Sequence, residues 1–260
     1  MIKAVLFDFW GTLVEIGVFP SPMKQVRNIL GLHRLPFKKY VVLFEESFMI
    51  GQSEDLYAAF RKVCETFRRE PTQEVLDELV GMWNKNKLLA KPFSDTERML
   101  TTLKNQYKVA LISNTDCFSV PAVMEKYGLG KYFDATVLSY EVGHLKIDPE
   151  MFAETLKRLG IEPHEAVMVG DSINSDIRSA QHAGVNAILL DRRGRGYHDM
   201  AYVIESLEEL PLAIDELSAE IAHRREMGEQ QPASDKEVLP EGEPGVDYEE
   251  EPDTAWVSRD

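Results

Sequence analysis

Four short segments of this 260-residue chain carry side chains able to do chemistry together. In Val5–Glu15 (VLFDFWGTLVE) an apolar run ends in Asp8, and the next four residues turn back through Trp10 and Gly11 to Thr12. An aspartate so placed suits a carboxylate that attacks an electrophile. Ser113-Asn114-Thr115-Asp116 follows the apolar VALI, Lys146 sits in GHLKIDPEMF, and Gly170-Asp171-Ser172 with Asp176 follows AVMV. An attacking Asp8 and an anionic substrate repel each other unless cations stand between them. A hard divalent ion held by one or two carboxylates supplies that charge. Lys146 supplies a second, as a point charge. Asp176, five residues beyond Asp171, is placed to orient Lys146 or a metal-bound water, or to join the ligand set.

Each segment alone has an ordinary explanation. An Asp after a strand is usually a turn residue or cap, Ser-Asn is capping chemistry, and a lysine before a helix is usually solvated. What sets this chain apart is all four in order, each at the mouth of a predicted strand.

The elements that must position them follow from patterning. Ile2–Phe7, Val109–Ile112, Ala135–Leu138, Ala166–Val169 and Ala187–Leu190 are short, buried, β-rich runs. Helical patterns over Ser94–Asn105, Val120–Tyr127, Pro149–Leu159 and Ser175–Ala183 separate most of them. In the third, Asp148 is a natural N-cap, Pro149 a first-turn residue and Gly160 a C-terminal stop. Such alternation predicts an α/β fold, a Rossmann-like, doubly wound parallel sheet. Its ligands belong at the carboxyl ends of the strands. Between the first two strands, about ninety residues read as helices over Pro22–Leu30, Phe37–Met49, Ser53–Arg69 and Thr72–Asn86. The expected organisation is a core of 1–16 and 92–215, an inserted helical cap over 17–91, a final helix through 216–227 and an acidic tail over 228–260. The patterned helix itself begins earlier, at Leu210.

These motifs resemble those of the haloacid dehalogenase (HAD) superfamily with a helical cap inserted after the first motif; the resemblance covers residues 1–215. It implies a hydrolase, with Asp8 as nucleophile forming a covalent aspartyl intermediate. Ser113, with Asn114 and Thr12, would bind the transferring group, and Lys146 would neutralise both nucleophile and substrate. Magnesium would be held by Asp8, Asp171 and the backbone carbonyl of Trp10, with Asp176 close by. In ordinary phosphatases of this superfamily the residue two beyond the nucleophile is a second Asp, which protonates the leaving oxygen and then activates water. Trp10 does neither, and losing a positioned acid/base typically costs ~10²–10⁴ in rate. A good leaving group or a substitute from the cap would make that tolerable. Haloacid dehalogenases resemble this motif with a tyrosine at that position and expel a halide that needs no proton. They need no metal, however, whereas this chain has both Asp171 and Asp176. Phosphonate-cleaving relatives recruit a cap lysine, for which Lys24, Lys38 and Lys39 are available. The favoured reading is a magnesium-dependent phosphatase acting on a small, anionic phosphorylated metabolite. The alternatives are a 2-haloacid dehalogenase and a non-catalytic binding or scaffold protein retaining the fold.

A net charge of −15 argues against nucleic-acid partners, although residues 228–260 supply most of it, with eleven acids against Lys236 and Arg259. That stretch has the composition of a disordered segment, while Trp256 suggests a part that lies against the body. No run approaches the ~20 apolar residues of a membrane span. With no apolar leader and two cysteines, the expected location is cytoplasmic. Three further features have ordinary readings: Cys117 as a semi-buried small residue, His144 as a loop histidine, and Arg192, Arg193 and Arg195 as a solvated loop. Glu15, at the approach to the cap, is a weak candidate for the acid/base role that Trp10 vacates.

Overall fold

The computed structural model describes residues 1–197 and 202–227; the tail over 228–260, Trp256 included, lies outside them. In chain order the elements are β1 (Ala4–Phe7), β2 (Val14–Glu15), α1 (Pro22–Ile29), α2 (Phe37–Phe48), α3 (Leu56–Thr66), α4 (Gln73–Leu89) and β3 (Lys91–Pro92). Then come α5 (Thr96–Lys104), β4 (Lys108–Ser113), α6 (Ser119–Tyr127), β5 (Ala135–Leu138), α7 (Ser139–Val142), α8 (Pro149–Leu159) and β6 (Ala166–Gly170). The chain continues through α9 (Ser179–His182), β7 (Asn186–Leu190), β8 (Val203–Ile204) and α10 (Leu210–Glu226).

Six strands form one parallel sheet in the order β5-β4-β1-β6-β7-β8. The apolar runs are continuous because both faces of a doubly covered sheet are buried. Alternate residues go to opposite faces: Val5 and Phe7 join one cluster with the helices α5, α6 and α10, while Ala4 and Leu6 join another with α8 and α9. Register aligns Phe7 with Leu111 of β4 and Val169 of β6, so the carboxyl ends of the three central strands lie within two residues of one level. The Asp8 N–H extends this ladder by donating to the Val169 carbonyl at 3.0 Å.

Helices α1 to α4 close around a separate apolar cluster that includes Phe44, Phe48, Phe60 and Trp83, to which the sheet side contributes Leu145. The chain leaves for this insertion along β2 and returns along β3, and the two pair antiparallel. Asp55 caps α3 by accepting from the Ala58 N–H at 2.7 Å, so that helix begins at Leu56, three residues after Ser53.

Several expectations shift. Asp148 occupies the N-cap position of α8, but its side chain makes no capping bond: the carboxylate turns back to accept from the Leu145 N–H at 3.1 Å. Gly160 does end that helix, at φ +63°. The helix anticipated over Ser175–Ala183 is instead a wide π-helical turn at Ile173–Arg178 running into α9. The N–H groups of Asp176 and Ile177 both donate to the Ser172 carbonyl there. α10 starts at Leu210 and seats Leu210, Ile214 and Leu217 in the sheet's cluster, so a boundary at 215 falls inside one continuous helix. None of the described helices is long and apolar enough to cross a membrane.

Candidate active site

The carboxyl ends of β1, β4 and β6 and the loop before α8 bring the four motifs to one place. Lys146, only 3% exposed, donates from Nζ to Asp8 Oδ1 at 2.6 Å and to Asp176 Oδ1 at 2.5 Å. Its backbone N–H donates to Asn114 Oδ1 at 2.8 Å, which fixes the loop carrying it. Burial alone would lower the Lys146 pKa, but Asp176 and Asp8 outweigh it and hold the ammonium above its ordinary value.

Asp8, Asp171 and Asp176 each offer a carboxylate oxygen within 4.8 Å of the others. Burial first, then the Asp8 and Asp176 charges, push the Asp171 carboxyl up; burial likewise raises Asp176 against the pull of Lys146. One ammonium does not neutralise three clustered carboxylates. The donor set is all oxygen, and the surplus negative charge suits a hard divalent cation. Two glycines make the approach possible. A Cβ on Gly11, whose φ of +81° already favours glycine, would stand 2.4 Å from Asp171 Oδ2. A Cβ on Gly170 would stand 2.3 Å from Asp176 Cγ.

A cavity of about 210 Å³ opens over this cluster, lined by Asp8, Trp10, Asn114, Lys146, Asp171 and Asp176. Trp10 is partly buried, its ring edge-on to Phe9 at 5.0 Å. Thr12 and Ser113 are not on the lining: both are fully buried, and neither hydroxyl has a partner. What the fold uses of Thr12 is its carbonyl, which accepts from Arg192 Nε and Nη2 at 3.1 and 2.8 Å. Arg192 is not a solvated loop residue. It also grips Asp95 with two bonds of 3.0 Å and lies 3.9 Å over the Phe93 ring, pinning the turn after β1.

The helical insertion forms the opposite wall. Trp83 Nε1 reaches Asp116 Oδ2 at 3.1 Å and Ser119 Oγ at 3.0 Å, and Ser139 Oγ donates to the Met49 carbonyl at 2.7 Å. Glu45, on α2, lines the cavity and accepts from Asn114 Nδ2 at 3.3 Å. Patterning did not single it out, although a signal exists. Glu45 lies four residues after Val41 and three before Phe48, beside the buried stripe of α2, where a glutamate needs a reason. Lys24, Lys38 and Lys39 are not on this lining. Glu15 pairs with Lys91 at 3.5 Å and lines a different cavity, with Arg192 and Arg195. His144 stays at the surface beside Asp148, and Cys117 is half-buried.

This geometry agrees with a family model for haloacid dehalogenase-like hydrolases that matches residues 2–184. The chain belongs to that family. Among its relatives, a glyceraldehyde 3-phosphate phosphatase of Methanothermobacter thermautotrophicus is 32% identical, covering 74% of this chain and 86% of its own. One from Methanopyrus kandleri is 34% identical, covering 77% and 88%. The crystal structure of a HAD phosphatase from Thermococcus onnurineus superposes with a TM-score of 0.54 at 27% identity, covering 82% of this chain and 98% of that one. The haloacid dehalogenase-like chain described here is therefore a hydrolase.

Proposed function

We propose that this hydrolase is a magnesium-dependent phosphatase of a small phosphorylated metabolite, working through an aspartyl-phosphate on Asp8. The observation that carries the reading is Lys146 bridging Asp8 and Asp176 beside a third carboxylate, on the lining of one cavity. A metal-free dehalogenase has no use for that surplus of acid, whereas a phosphatase needs a cation there. The named activity of the relatives supports the same class, and the cavity's volume suits a metabolite.

Asp8 and Asp171, with the Trp10 carbonyl and Asp176 at hand, would hold the magnesium. When bound, it supplies the positive charge that lets a dianionic phosphate approach an anionic nucleophile. Asp8 attacks phosphorus. Lys146, kept protonated by its two aspartates, holds the nucleophile in place and offers its charge to the transferring group. Asp176 orients Lys146 and is itself held by the Ser172 N–H at 3.0 Å. Asn114, which unlike Ser113 lines the cavity, is the residue of the second motif placed to meet the transferring group.

The test is a panel of phosphate monoesters and 2-haloacids, with magnesium or with a chelator, followed by phosphate and halide release. Magnesium-dependent release of phosphate is expected. Halide release that ignores the chelator would replace this reading with the dehalogenase, and inertness towards the whole panel would favour a scaffold.

A further inference from the structure

We propose that Glu45, carried by the inserted helix α2, is the proton donor and acceptor that position 10 lacks. The inference rests on the phosphatase reading above and adds to it the residue that handles the proton.

Five acids line the cavity over Asp8. Asp8, Asp171 and Asp176 form the cluster already described. Asp116 is locked, its carboxylate accepting from Trp83 Nε1 and from the Phe118 and Ser119 N–H groups. Glu45 is the fifth, held by a single bond of 3.3 Å from Asn114 Nδ2. Asn114 ties it to the chemistry, because its Oδ1 accepts from the Lys146 N–H while Lys146 Nζ reaches Asp8. Glu45 thus shares one cavity with the nucleophile, on the wall that the insertion supplies, and can serve the oxygen that leaves phosphorus there.

Its surroundings match the task. Burial comes first in raising its pKa; Lys146 and the Asn114 bond oppose, and Asp176 and Asp8 raise it further, leaving the carboxyl at about 7. A group poised there gives up a proton and takes one back near neutrality. In the first half-reaction an Asp8 oxygen attacks phosphorus, the bond to the departing alkoxide breaks, and the Glu45 proton goes to that oxygen. In the second, the Glu45 carboxylate takes a proton from water as the water oxygen attacks phosphorus. The bond between phosphorus and Asp8 then breaks, phosphate leaves, and Glu45 ends protonated as it began.

The experiment uses the full chain with magnesium, and two probes: glycerol 3-phosphate, whose alkoxide needs a proton, and p-nitrophenyl phosphate, whose leaving group does not. Glu45→Gln keeps the shape and an acceptor for Asn114. It is expected to slow the alkyl ester ~10²–10⁴-fold and to remove the limb of the pH-rate profile that Glu45 supplies. With p-nitrophenyl phosphate it should give a burst of nitrophenolate and leave a phosphorylated protein visible by mass, because only the water still needs a base. Formate or acetate should restore turnover to Glu45→Ala, which distinguishes lost chemistry from lost folding. Glu46→Gln, an exposed neighbour on the same helix, should match the wild type. Wild-type alkyl rates in Glu45→Gln, or a uniform loss on both probes without burst or rescue, would overturn the Glu45 assignment alone. A wild type inert to both probes would overturn the phosphatase reading beneath it.

Discussion

Asp8, Lys146 and Asp176 share one buried contact, so the identity of each atom matters more than its volume. Asp8→Asn changes one oxygen to an amide nitrogen and removes the nucleophile. Turnover should vanish while the circular-dichroism spectrum and melting temperature stay near those of the wild type. Residual hydrolysis of any wild-type substrate would remove Asp8 from the mechanism. Position 10 offers a second test. If Glu45 supplies the proton, Trp10→Asp in the wild type gains little, since it sets another anion beside the nucleophile. In a Glu45→Gln background the same change should recover a large part of the lost alkyl-ester rate, measured as kcat. Equal effects in both backgrounds would mean that the two positions do not substitute for each other.

At the scale of elements, the insertion is fastened to the core through few groups, and one is a tryptophan donor. Trp83→Phe keeps most of the ring that meets Phe44, Phe48 and Phe60 but leaves the Asp116 and Ser119 oxygens short of a hydrogen. Unmet buried acceptors cost about 1–3 kcal/mol. Urea unfolding should show a loss of that order, and an unchanged midpoint would mean water takes the indole's place. What the sequence discloses at this scale has a physical pattern. Strands in the middle of a parallel sheet are apolar on both sides, so Ala4–Phe7 and Ala166–Gly170 stand out as runs. Val14–Glu15, Lys91–Pro92 and Val203–Ile204 are two residues each and have no period to detect. The wide turn at Ile173–Arg178 escapes local reading because Asp176 must reach Lys146, a partner thirty positions away. The catalytic candidates were legible because motifs at strand ends converge by topology. Glu45 was not, because it reaches the site only through the docking of α2. The motifs assign Thr12 and Ser113 to binding the transferring group, yet neither lines the cavity, and Thr12 serves the fold through its carbonyl.

For the whole molecule, ligand and proton binding both register as stability. Magnesium that binds only the native state should raise the melting temperature with concentration, and Asp171→Ala should erase the shift. An equal shift in that variant would place the ion elsewhere. Protons act through Glu45: its folded pKa is raised to about 7, above the ordinary glutamate value. As pH climbs from that ordinary value to about 7, the unfolded chain has lost a proton that the folded chain still holds, so stability falls across this window. Asp171 and Asp176 are raised too and act in the same sense. The Glu45 share is the difference between the melting curves of wild type and Glu45→Gln in the same metal-free buffer. That difference should grow from about pH 4.5 to about 7 and level off above; a constant offset would contradict the raised value. The paired ribbon of Val14–Glu15 and Lys91–Pro92 has a consequence for descent. The insertion departs and returns at adjacent points, so to the sheet it spans almost no distance, and changing its length costs little, since closure entropy grows only slowly with loop length. A change in its length would leave the turn that carries Asp8 in place, while Leu145, beside Lys146, would still need a partner in the insertion's cluster. With Glu45 riding on it, replacing the insertion would replace one wall of the cavity and the proposed proton carrier in a single event.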